Sequence, residues 1–358
     1  MHSRIRLATT LSAFIAAIGI FAQGPGDGEL HGNFSTDAQL YQDDPQIGAA
    51  KPPSDFGLNA WSNLNYRSGN FVAGVRFESY EPALLGYPAG SPYKGTGIGF
   101  RYATYTVNDL EVTVGNFYEQ FGQGLAFRSY EERALGVDNA MDGVRLKFNP
   151  DTGIYLKAFV GRQRLAFDDG VIKGDGIVRG IDGEISLTEA FPHLFPKWTA
   201  NGHNLTVGGS FVSKYQADLN PLLVLPENVG TWAARANYTT AKWNLYSEYA
   251  YKINDPNGSN KNIYKPGQAL MANATYSVRG LGISAGAHTY DNMVFQSDRA
   301  APTPFDLNIN YLPTLAKQHT YNLPATLYPY ATQPNGEVAY QGEIFYMMKR
   351  GSKLGGKY

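Results

Sequence analysis

Hydrophobic and polar residues alternate along most of this chain in stretches of about ten, each closed by a turn. Trp232, Ala234, Ala236 and Tyr238 share one parity, with Ala233, Arg235 and Asn237 between them. After Thr240-Ala241-Lys242 the pattern restarts. Trp243, Leu245, Ser247, Tyr249 and Tyr251 then fall on one face, and Asn244, Tyr246, Glu248, Ala250 and Lys252 on the other. Strand side chains point alternately to two faces, so each stretch reads as a strand with one apolar and one polar side. Soluble strands average about five to six residues, whereas a tilted bilayer crossing takes about nine to eleven. The stretches here match the crossing.

The pattern predicts fourteen strands, over residues 30–41, 56–67, 70–81, 97–107, 110–118, 142–149, 153–163, 177–189, 204–215, 230–240, 242–252, 268–279, 281–290 and 336–348. Short and long connections alternate. Ser68-Gly69-Asn70, Asn108-Asp109, residues 149–153, Thr240-Ala241-Lys242 and Arg279-Gly280 carry the Gly, Asn, Asp and Pro of tight hairpins. The long connections, 42–55, 82–96, 118–141, 164–176, 216–229, 253–267 and 291–335, hold most of the prolines. One of medium length, 190–203, falls where a short turn is due. Transmembrane barrels have short periplasmic turns and longer extracellular loops. The expected fold is therefore all-β, a transmembrane antiparallel up-and-down β-barrel.

Parity assigns the faces. Phe71, Ala73, Val75 and Phe77, Val144, Leu146 and Phe148, and Leu270, Ala272 and Ala274 are expected toward lipid. Arg76, Glu78, Arg145, Lys147, Arg235, Glu248 and Lys252 are expected to line the lumen. Arg162 and Arg179 share a parity with apolar neighbours; placed near predicted strand ends, they are expected to snorkel.

Composition narrows the picture. Among 358 residues there are no cysteines, which excludes a disulfide framework and zinc–thiolate sites. A net charge of −1 without a basic run argues against nucleic acid as a partner. A short basic stretch and then the apolar run Leu11–Ala22 predict a signal peptide over residues 1–22, leaving a single domain over 23–358. No later apolar run reaches the length of a spanning helix, so residence in a membrane means a barrel. The expected location is the bacterial outer membrane, with its lipid as a partner. Residues 349–357 read as a turn rather than a closing strand, and further C-terminal strands are expected.

The densest polar segment runs from Gly115 to Gly143 and mixes carboxylates, arginines, amides and aromatics. A solvated loop has no need of so many aromatics, so the segment is expected to fold into the barrel mouth. Its candidate lumen or constriction residues are Glu119, Gln120, Gln123, Arg128, Glu131, Glu132, Arg133 and Asp138. The carboxylates are expected to pair with Arg128 and Arg133, whose planar guanidinium forks suit them. Adjacent Glu131 and Glu132 point to opposite faces of a strand and make no acid/base pair. The histidines stand alone in sequence, so no enzyme is expected. Asp168, Asp169, Asp175 and Asp182 lack the spacing of a calcium loop and read as solvated; no metal or other cofactor is expected. Loop 291–335, rich in tyrosine and proline, is expected to be a lid or contact surface.

The stretch Val114–Val144, with Gly-Asn-Phe-Tyr-Glu-Gln-Phe-Gly-Gln-Gly and then Arg-Ser-Tyr-Glu-Glu-Arg-Ala-Leu-Gly-Val-Asp-Asn, resembles an uncharacterised family of outer-membrane barrels from Bacteroidetes-type bacteria, a domain of unknown function. The resemblance implies location and architecture and carries over no catalytic residue. Longer members of that family imply a C-terminally truncated chain. The expected role is passive passage or binding of small solutes in a porin-like polar lumen. The main alternative is a non-conducting structural or assembly partner of another envelope protein. A weaker one is uptake of hydrophobic compounds, against which the lumen charges argue.

Overall fold

The computed structural model describes residues 28–85, 93–133, 136–299, 308–315 and 332–348. The expected signal peptide and the turn at 349–357 lie outside the described residues. Fourteen strands form one up-and-down sheet, each hydrogen-bonded to its neighbours in chain order. They are β1 (Glu29–Leu40), β2 (Phe56–Ser68), β3 (Phe71–Tyr80), β4 (Tyr93–Val107), β5 (Leu110–Phe117), β6 (Met141–Asp151) and β7 (Ile154–Asp168). Then come β8 (Val171–Ser186), β9 (Asn204–Tyr215), β10 (Asn228–Thr239), β11 (Trp243–Lys252), β12 (Gly267–Val278), β13 (Leu281–Asp291) and β14 (Glu337–Tyr346). The all-β barrel-type architecture and its strand number are those that the alternation predicts. Among the described residues, β1 and β14 are the edges and do not pair with each other.

Register fixes the faces. Val144 sits opposite Val114 and Val160, and Leu146 opposite Val112 and Ala158. These side chains point outward, as do the exposed Ile181, Phe211, Trp232, Leu270, Val338, Tyr340 and Ile344. A continuous apolar exterior follows from side chains two apart in sequence and aligned across strands.

Three connections differ from expectation. Residues 164–176 are not a long loop: β7 and β8 continue to a tight tip at Asp169-Gly170. Asp169 adopts a left-handed φ of 53°, which Asp tolerates in turns, so no longer loop is needed. Likewise β4 begins at Tyr93, inside the expected loop 82–96. The connection at 190–203 follows the short helix Leu187–Ala190 and contains another, Pro196–Ala200, started by its proline.

Between β5 and β6 the chain leaves the sheet and turns inward. Both strands stop short, so β4 and β7 meet above them, Phe167 pairing with Tyr93 and Asp168 with Lys94. The inward segment carries a ribbon of Glu119–Phe121 against Phe127–Ser129. Phe121, Leu125, Ala126 and Phe127 are fully buried. They pack on Val178, Val212, Ala233, Ala250 and Ala269 of the inner wall, where small or slender side chains leave room for aromatic rings. Each buried Phe or Leu contributes about 1.5–3 kcal/mol. The sequence predicts a polar lumen, but the interior holds an apolar core in its middle. The alternation could not show this, because wall alanines and valines look the same against water or against a plug.

Candidate functional site

The inward segment meets the wall through two ion-pair groups, and a third lies on the wall beside it. In the first, Arg76 on β3 donates to Glu78 (2.7 Å) and Glu131 (3.0 Å), and also pairs with Asp138. Arg164 on β7 donates to both oxygens of Glu78 (2.9 and 2.7 Å) and to Asp138 (2.9 Å). Arg133 donates to Glu131 at 2.6 Å. The Tyr80 and Tyr118 hydroxyls donate to Glu78 and Asp138, at 3.0 and 2.9 Å. Three guanidinium groups therefore face three carboxylates. Such a group tolerates burial because every charge has an opposite one at hydrogen-bond distance.

The second group surrounds Glu119, which accepts from Lys157 (2.8 Å) and lies 3.6 Å from Lys147 and 3.7 Å from Arg145. Arg145 also reaches Glu111 at 2.7 Å. In the third, Arg235 bridges Asp182 and Glu184, at 2.9 and 2.7 Å. Close by, the Gln123 N–H donates to Glu248 at 2.7 Å and ties the inward segment to β11. Glu248 Oε1 and Asn237 Oδ1 are buried without a hydrogen-bond partner among the described residues. A polar cavity of about 390 Å³ is lined by Asn237 together with Gln123, Glu184, Glu189, Asn204 and Tyr246. It lies toward the short-turn end of the barrel.

A second inward segment comes from the long connection expected to be a lid or contact surface. Its described parts are buried at Met293, Val294, Phe295 and Ile309, and the Ile309 carbonyl accepts from the Arg128 N–H at 2.9 Å. Beneath it, Asp255 lies between Lys214 (2.8 Å) and Lys252 (3.2 Å). Lys214 donates to the Gln296 carbonyl at 2.7 Å, and Lys252 to that of Val294. Burial pushes the Asp255 carboxyl up, but Lys214 and Lys252 outweigh it and hold it below the usual carboxylate range.

The eight residues expected at one constriction are divided among these places. Glu131, Arg133 and Asp138 join the first group, and Glu119 the second. Gln120 donates to the Gly122 carbonyl, and Gln123 lines the polar cavity. Glu132 is exposed. Arg128 pairs with no carboxylate among the described residues: its guanidinium stacks between Tyr130 (4.3 Å) and Tyr311 (4.1 Å) and joins the two inward segments. Arg76, Glu78, Arg145, Lys147, Arg235, Glu248 and Lys252 all make their ion pairs or hydrogen bonds on the inner face.

Arg164 escaped the sequence reading because it sat at the start of a supposed loop. A register shift between Arg162 and Arg164 leaves Gln163 and Arg164 both buried while Arg162 points outward. Such a bulge re-aims a side chain against the simple alternation. The three apolar residues Met293-Val294-Phe295, inside a long polar connection, were the available sign of the second inward segment.

Where β1 and β2 face the interior, the lining is polar apart from Trp61, which packs on Tyr80 under Arg133. Asn33 accepts from Asn63 at 2.7 Å, and Ser35 from Arg133 at 3.4 Å. All twelve residues of β1 are exposed.

No curated protein matches the chain. Among solved structures it is similar to OccK2 (OpdF) of Pseudomonas aeruginosa in complex with glucuronate, at 11% identity and a TM-score of 0.37, covering 74% of this chain and 80% of that one. It is similar to a BenF-like porin from Pseudomonas fluorescens Pf-5, at 10% identity and a TM-score of 0.37, with 74% and 83% covered. It is also similar to the outer membrane channel DcaP of Acinetobacter baumannii, at 12% identity and a TM-score of 0.35, with 75% and 80% covered. Likeness at this level equates no residue of one chain with a residue of another. The model of a family of unknown function, DUF6029, matches residues 2–358, and the chain belongs to that family.

Proposed function

We propose that this protein is a bacterial outer-membrane barrel, exported by the leader at residues 1–22, that passes or binds small polar solutes. The observation that carries the reading is the division of the sheet into two faces. An apolar exterior suits lipid, and charged, amide and hydroxyl groups line much of the interior. The solute path runs along the polar inner face of β1 and β2, beside Glu131 and Arg133. The two inward segments fill the opposite side. Glu131, Glu132, Arg133 and Arg128 form the constriction that sorts solutes by size and charge. The polar cavity below, lined by Asn237, whose amide oxygen has no partner among the described residues, receives groups that donate hydrogen bonds.

A non-conducting structural or assembly role is the second reading, favoured by the complete burial of Phe121, Leu125 and Phe127. Planar-bilayer recording separates the two. The first predicts steady current that increases when Arg128, Glu131, Glu132 and Arg133 are all replaced by alanine. Silence from both inserted proteins rejects it, and a stoichiometric co-purifying partner then supports the second.

A further inference from the structure

Arg162 and Arg179 do not sit at strand ends, where snorkelling was expected to account for them. They lie inside β7 and β8, exposed on the outward face. Register places Arg179 opposite Val160 and Ser213, and Arg162 opposite Asp142 and Ile177. The two arginines are thus diagonal neighbours, about 7–8 Å apart at the backbone, within reach of one shared anion. Neither has an acidic partner among the described residues. Asp142 is already taken, by Arg101 at 3.4 Å and by Lys173. Four cations face two carboxylates on this patch, the second being the exposed Asp175.

Their height matters. Arg162 stands about eight residues from the short-turn end of β7, or roughly 20 Å of vertical rise in a strand tilted about 40°. The apolar band of a barrel is about 25 Å tall, so Arg162 reaches its loop-side boundary, the level of lipid headgroups, and Arg179, roughly 5 Å lower opposite Val160, extends up toward it. Directly beneath lies an outward groove of about 460 Å³, with Leu146, Val160, Ile181 and Phe211 in its lining and Arg179 and Ser213 among its polar residues.

We propose that this outward face of β6–β9 binds a lipid with a phosphate headgroup. The phosphate bridges Arg162 and Arg179, with Arg101 and Lys173 as outer cations, and one acyl chain occupies the groove. Unpaired arginines at the boundary supply donors that an anionic headgroup satisfies bidentately, and zwitterionic lipid offers no net charge to match. The site rests on the reading that the outward face meets lipid.

The test uses the whole chain in vesicles and then in detergent, with bound lipid read by native mass spectrometry. Wild-type protein is expected to retain phosphatidylglycerol at least tenfold over phosphatidylcholine. R162Q/R179Q should lose that preference, while R67Q, outside the patch, keeps it. Equal retention of both lipids by inserted wild-type protein, or an unchanged preference in R162Q/R179Q, overturns the site and leaves the membrane reading intact. Displacement of the lipid by millimolar inorganic phosphate also overturns it, since the groove would then contribute nothing. Wild-type protein that does not insert into vesicles overturns the membrane reading and this site together.

Discussion

Replacing Arg164 by methionine tests whether the charge group at the barrel mouth holds the inward segment in place. The Arg164 side chain is only 1% exposed and donates to Glu78 and Asp138 at 2.7–2.9 Å. Methionine keeps much of the side-chain volume and its packing against Tyr93 and Phe167. It leaves two guanidinium groups for three carboxylates. Removing one partner of a buried pair costs about 3–5 kcal/mol, because the remaining charge stays out of water. Glu78 keeps Arg76 at 2.7 Å and the Tyr80 hydroxyl at 3.0 Å, which places the cost toward the lower end, about 3 kcal/mol. Urea unfolding in lipid vesicles measures it. R164M/E78Q restores neutrality, and the double-mutant cycle should give a coupling of about 1.5–3 kcal/mol. R67M, exposed near the short-turn end of β2 and away from this group, is the internal control, expected within about 0.5 kcal/mol of wild type. If R164M unfolds with the wild-type midpoint, or the coupling is near zero, the ion-pair argument is wrong.

Three further outcomes follow. Because the folded Asp255 carboxyl titrates below its unfolded value, its stabilisation is present above about pH 3.9 and is lost as pH falls through the folded value. Unfolding midpoints of wild type and D255N should therefore differ at neutral pH and converge in acid; a gap that widens in acid contradicts the lysine–aspartate–lysine bridge. R128A removes the stack between Tyr130 and Tyr311 and should cost about 1–2 kcal/mol, with faster proteolysis within 118–140. R128A with wild-type proteolysis would show that the stack does not join the segments. In G143A the new Cβ would stand 2.0 Å from the Val160 carbonyl oxygen, so β6 and β7 must part. A loss of about 1–3 kcal/mol is expected by the same unfolding measurement, and none if that approach is looser.

The alternation made the strands and their faces legible, since lipid and interior impose opposite chemistry on successive residues. β10 and β11 follow it without interruption, and Arg235 and Glu248 lie opposite each other on the inner face. It gave no account of what fills the interior. Leu125 and Phe127 are buried by contacts between segments far apart in sequence, such as 118–140 with 292–299, and no local period encodes these. Of the acidic residues expected to be solvated, Asp168, Asp169 and Asp175 are exposed and Asp182 alone is buried. Asp182 pairs with Arg235, and Asp168 with Lys94, partners that only the closed sheet brings near. The grouping of the charged residues is not legible locally either: Arg128 stacks on tyrosines, and Arg164 is re-aimed by a bulge.

The most direct test of the two-faced barrel is a single-cysteine nitroxide scan along β10, in a chain that has no cysteine of its own. In vesicles, labels at Trp232, Ala234 and Ala236 should be accessible to oxygen and protected from a water-soluble nickel reagent. Labels at Ala233, Arg235 and Asn237 should show low oxygen access. Equal exposure of both sets to the nickel reagent would contradict the account.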